Sequence, residues 1–164
     1  MKNRQITFVA LLILLRASSL LSQSNDTSIA DTNFINDEAN LLTMSQRESI
    51  QNLLFVHNHK HLGRVFLETI AELPNNVSID KYALQRINRW PLAVNERVDR
   101  ILIVIALRNR TMRIETSLDV WKILDDKLCS EIISNKFTPS FKKQKYFQGI
   151  QMGIKSIIKK LEES

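Results

Sequence analysis

The chain has 164 residues, 44% of them hydrophobic and 24% charged, with three Gly and three Pro, so it suits one ordinary folded domain and excludes a fibrous repeat or a disordered polymer. A single cysteine, Cys129, excludes an internal disulfide and any multi-cysteine zinc or iron–sulfur site. The formal charge of +6 leaves a basic balance, and its use depends on which segments carry it.

Residues 1 to 22 read as a signal peptide. Met1-Lys2-Asn3-Arg4 is a positive start, and Ile6 to Leu15 is an apolar run too short to span a bilayer comfortably, which ranks an N-terminal membrane anchor below a cleaved leader. Small residues follow, placing cleavage after Ser19 or between Ser22 and Gln23. Its removal takes Lys2, Arg4 and Arg16 and no acid, so the charge falls from +6 to +3 and the mature chain is expected outside the cytoplasm, periplasmic or secreted. Much of the remaining charge lies in Lys136, Lys142, Lys143, Lys145, Lys155, Lys159 and Lys160. Cations near a helix C-terminus complement its dipole, so nucleic acid is not the expected partner.

Residues 23 to 32 are polar and aperiodic, a flexible lead into a domain over residues 33 to 162. After a short extended entry near Phe34, the capping-box spacing of Ser45-Gln-Arg-Glu48 and the recurrence of Ile50, Leu53 and Leu54 predict a helix from Ser45 to His59, closed by Gly63. Arg64 to Ile70 is short and rich in β-formers and should be a strand. Ser78 can cap a second helix whose stripe is Ile79, Ala83, Ile87 and Trp90, until Pro91 stops it. Ile101 to Leu107 is continuously apolar, as in a strand covered on both faces. Arg108 to Arg110 turns the chain into Met112 to Thr116, whose alternation predicts the second strand of a hairpin. Val120, Ile123, Leu124, Leu128 and Ile132 give a third helix, Pro139 interrupts, and Phe147 to Leu161 gives a fourth. This order, extended entry-α-β-α-β-β-α-α, predicts the α/β class: a small mixed β-sheet with helices packed on its faces.

Several ordered segments resemble the TPM domain family. Phe34-Ile-Asn-Asp37-Glu-Ala39 is similar to the family's opening, Gly63 stands before the strand as the family's glycine does, and Tyr82-Ala83 precedes Trp90 in the second helix. Ile132-Ile133, Pro139-Ser-Phe141 and Tyr146-Phe-Gln-Gly149-Ile follow in the family's order and at similar spacing. The chain departs from the pattern at Val98-Asp99-Arg100, where the family often has Asp-Asn-Gly, and at Ser117-Leu-Asp119-Val120-Trp121, where Gly-x-Gly-Leu-Glu is usual. Side chains in place of both glycines obstruct positive φ and a close backbone approach to a ligand.

The resemblance implies calcium as a cofactor, with acid phosphatase activity assigned to some members. Asp37, Asp99, Asp119 and Asp126 are the candidate metal ligands, with Asp125 beside them, in loops and helix starts around one expected edge of the sheet. The competing reading makes Asp119 a helix cap and leaves Asp125 and Asp126 solvated. No nucleophile motif and no Gly-rich phosphate cradle is present, and Arg108, Arg110 and Arg113 flank an exposed hairpin. His57, His59 and His61 are too few for a closed zinc site, although His57 and His61 would share a helix face. Trp90 and Trp121 occupy apolar helical positions, read as core or groove lining. Three sequons, at Asn25, Asn76 and Asn109, would matter only in a eukaryotic secretory pathway. The expected function is a non-enzymatic, exported module that binds a membrane protein or a membrane-associated complex and retains a weakened calcium site. The alternative is a divalent-metal-dependent phosphatase of low activity.

Overall fold

A computed structural model of the chain describes residues 33–60, 63–90 and 99–164. The expected leader and lead, His61 and Pro91 lie outside the described residues. Strands β1 (Ile35–Asp37), β2 (Arg64–Ile70), β3 (Arg100–Ala106) and β4 (Thr111–Thr116) form one sheet in the order β1-β2-β3-β4. The first three run parallel and β4 pairs antiparallel with β3, so the expected mixed sheet and its hairpin are both present. The extended entry proves to be an edge strand. Helices α1 (Met44–Asn58) and α2 (Ile79–Arg89) are the connections between parallel strands, and α3 (Leu118–Trp121), α4 (Asp126–Ile132), α5 (Thr138–Phe141) and α6 (Tyr146–Glu162) follow the sheet.

The register gives the two faces different chemistry. Ile35, Leu67, Ile103 and Ile114 lie side by side across all four strands and are buried as one apolar row. One residue further, and therefore on the opposite face, stand Asn36, Glu68, Val104 and Arg113. Helix α2 covers this second face, with Trp90 at its end packed on Phe66 at 5.0 Å between ring centroids. The α2 boundary follows the sequence closely, since the Ser78 hydroxyl accepts from the Lys81 N–H and caps the first turn.

Three local expectations need correction. The capping box of α1 is Thr43 with Gln46, not Ser45 with Glu48: Gln46 N–H donates to the Thr43 hydroxyl, and the Gln46 side chain accepts from Thr43 N–H. The expected third helix is broken, because the Asp125 carboxylate accepts from Leu128 N–H and starts a new helix at Asp126. Pro139 does not interrupt; it sits in the first turn of α5, where its missing N–H costs nothing, and the chain leaves the helix only at Lys142 to Lys145.

Between α4 and α5 the helix widens into a π-turn over Ile133–Phe137, in which Thr138 N–H reaches the Ile133 carbonyl and the Thr138 hydroxyl donates to the same oxygen. Phe137 is fully buried against α6, where Gly153 has no side chain and a Cβ would collide with the ring. A Cβ on Gly149 would come within 2.7 Å of Phe141, so the two glycines of α6 together seat two aromatic rings. Gly153→Ala should therefore lower stability by about 1–3 kcal/mol, the range for overpacking a filled core. Urea unfolding measures it, and an unchanged midpoint would show that this packing is loose.

Candidate functional site

The candidate carboxylates occupy separate places. Asp37 ends β1 and is 5% exposed; its oxygens accept from Leu41 N–H at 3.0 Å, Leu42 N–H at 3.1 Å, the Thr69 hydroxyl at 2.5 Å and Arg47 at 3.2 Å. A carboxylate with four donors is locked as a structural clamp between β1, β2 and the entry to α1. Asp99 lies just before β3 and accepts from the Ser117 hydroxyl at 3.3 Å. Because β1 and β3 are parallel and Asp37 aligns through Thr69 with Ile105, Asp99 stands at the opposite end of the sheet, about 20 Å away at the rise of a β-strand. Asp119 is near Asp99 in the fold but bonds Lys122 at 2.8 Å, which holds its carboxyl below the usual carboxylate range.

Asp126 belongs to a different cluster. Half-buried Arg113, on edge strand β4, bonds Asp126 at 2.6 Å and Glu115 at 3.0 Å and lies 3.5 Å from Asp80 in the first turn of α2. Partial burial alone would lower the guanidinium's pKa, but its bonds to Glu115 and Asp126 outweigh this and the net shift is upward. The Trp121 indole N–H also points to Asp126, at 3.5 Å. The structure thus brings Asp99 and Asp119 to one end of the sheet, gives Asp126 to Arg113, uses Asp125 as a cap and isolates Asp37. One ion cannot span Asp37 and Asp99 in this arrangement. Among the described residues no three His, Cys, Asp or Glu side chains are grouped as a metal set.

The histidines are also divided. His59 is exposed and stacks on Phe55, while His57 is buried with Nε2 at 3.0 Å from the Gly63 carbonyl and Nδ1 without a partner. Burial lowers the His57 pKa despite the Gly63 bond and the Glu162 charge, and Lys60 lowers it further. Cys129 is buried, and desolvation pushes its thiol up to about 11, away from nucleophile chemistry. Trp90 is core, with the Arg86 guanidinium 5.4 Å from its ring centroid.

Sequence reasoning missed the buried pair beneath α2. Glu68, 1% exposed in the middle of β2, accepts from Arg86 Nε at 2.7 and 2.8 Å and from Asn36 at 2.9 Å. Its partner is 18 residues away, and the only signal was a charge inside a β-forming run.

It also missed a groove of about 550 Å³ between the β3–β4 hairpin and the α5–α6 turn. Ile105, Met112, Phe141 and Tyr146 line it, and among the described residues its charged lining residues are Arg110 and Lys142. Arg110 occupies the left-handed position of the hairpin turn at φ 52°, and across the groove Gln144 does the same at φ 58°.

A family model for the TPM domain matches residues 35–160, and the chain belongs to the TPM domain family. Three solved structures share the fold. The N-terminal domain of a P. gingivalis protein is 24% identical with a TM-score of 0.73, covering 82% of this chain and 85% of its own. BA42 from the psychrophilic bacterium Bizionia argentinensis is 16% identical, with a TM-score of 0.62 and coverage of 74% and 82%. The N-terminal domain of the Corynebacterium glutamicum protein cg2496 is 12% identical, with a TM-score of 0.60 and coverage of 83% of each chain. Among proteins with curated functions, none matches the chain in sequence.

The buried imidazole carries a pH signature. Folding depresses the His57 pKa below the ordinary value of about 6.5, so the unfolded chain binds the proton more readily and stability rises with pH in this window. The neutral ring's contribution is complete above about pH 6.5 and is lost as pH falls below it. Unfolding titrations between pH 7 and pH 5 should show a shallower loss of stability in His57→Gln than in the wild type; equal slopes would assign the proton elsewhere.

Proposed function

We propose that this chain is an exported TPM-domain module that acts by binding a protein partner, a membrane protein or membrane-associated complex, and not by turning over a substrate. The observation that carries the reading is the engagement of every candidate carboxylate. Asp37 has four donors, Asp126 is held by Arg113, Asp119 by Lys122, and Asp99 by Ser117. A phosphatase needs a nucleophile or an activated water together with cationic groups poised on the transferring phosphoryl. Here the half-buried arginine of the hairpin is already bonded to carboxylates, and the one cysteine is a buried thiol. Calcium, the cation the resemblance implies, would compete with Arg113 for Asp126 and with Lys122 for Asp119. Among the described residues no helix is long and apolar enough to cross a membrane, and the positive start and short apolar run at the N-terminus support export.

Hydrolysis of an aryl phosphate by the full chain, with millimolar calcium or magnesium, is the test. The module reading predicts no turnover above buffer. Turnover that falls about 100-fold in Asp126→Asn would establish a phosphatase with Asp126 in its machinery.

A further inference from the structure

We propose that the groove between the β3–β4 hairpin and the α5–α6 turn is the partner-docking site of this module, and that it takes an acidic peptide segment with an apolar anchor. The inference rests on the partner-binding reading and gives it a place and a chemistry. Two properties of the groove set the occupant. Its walls are apolar and aromatic, with Met112 on one side and Phe141 and Tyr146 on the other, the two rings 5.3 Å apart and edge to face. Such walls accept an aliphatic or aromatic side chain.

Its charge is of one sign. Arg110 and Lys142 are exposed, and neither has an ion-pair partner among the described residues. This contrasts with the hairpin's other arginines, since Arg108 is paired with Glu72 and Arg113 with three carboxylates. Lys143 and Lys145 are exposed in the same turn, so the rim adds to the positive field. Both walls also place long polar side chains at left-handed backbone positions, Arg110 and Gln144, where glycine or asparagine would be less strained. An acidic segment meets this surface with carboxylates on Arg110 and Lys142 and its anchor between Met112 and Phe141. A groove of about 550 Å³ accommodates one large side chain with its flanking backbone.

The test uses the full chain and a dye-labelled peptide of sequence Gly-Asp-Phe-Glu-Gly, read by fluorescence anisotropy. Saturable binding is expected, weakened about tenfold by Arg110→Ser combined with Lys142→Ser and by replacing the peptide's Phe with Ser. The isosteric peptide Gly-Asn-Phe-Gln-Gly should bind equally poorly. Lys155→Ser with Lys159→Ser, on the exposed side of α6, should change nothing. No binding, or binding that ignores the Arg110 and Lys142 substitutions, overturns the proposal. So does a result in which only phosphatidylglycerol vesicles bind and lose affinity in the double variant, because the groove would then be a lipid site. Failure here is separable from failure of the underlying reading, which turnover in the aryl phosphate assay would overturn without reference to the groove.

Discussion

The seating of Phe137 on Gly153 is the constraint on which the C-terminal half of the domain depends. A helix position with no Cβ, Gly153, lets the Phe137 ring approach the α6 backbone, and the π-turn that ends at Phe137 carries the ring to that position. Phe141, four residues on, then rests against Gly149 and meets Phe137 edge to face at 6.0 Å. The aromatic wall of the groove is thus the outward end of a core contact. Its position relative to the hairpin is set by buried packing, which suits a binding surface that must hold its shape without a ligand.

Charge follows a complementary logic. Buried carboxylates are tolerated where donors surround them, and Asp37 and Glu68 satisfy this at two places, one joining β1 to α1 and the other joining the sheet to α2. Arg113 does the same at the edge strand, tying the starts of α2 and α4 to β4. Acids placed in such bonds are committed to the fold. Arg110 at the hairpin tip and Lys142 of the α5–α6 turn have no ion-pair partner among the described residues, and this asymmetry points to a partner of negative charge.

Much of this architecture was legible in the sequence where local chemistry decides it. Arg64 to Ile70 was read as a strand to the residue, and Ser78 as the cap of α2, because β-branched density and a hydroxyl at an N-cap act over a few residues. Long-range contacts decided the rest. Thr43 and Ser45 both precede an amide or acid three residues later, and the choice went to Thr43 because Asp37 holds Leu41 and Leu42 just ahead of it. The acidic residues were read as gathered around one edge of the sheet, and only the parallel register shows that Asp37 and Asp99 mark opposite ends. Pro139 reads as a breaker until the preceding π-turn places it in the first turn of a helix that begins at Thr138. Glu68 and Arg86 could not be paired by pattern, since their contact depends on how α2 crosses the sheet.

The central claim is that the domain works by contact with a protein, and photo-cross-linking of the full chain in its own compartment tests this most directly. A photoreactive residue would replace Gln144 at the groove rim or, as a comparison, Glu48 on the exposed side of α1. The account predicts a discrete cross-linked species from position 144 and none from position 48. Cross-linking to no protein from either position would contradict it.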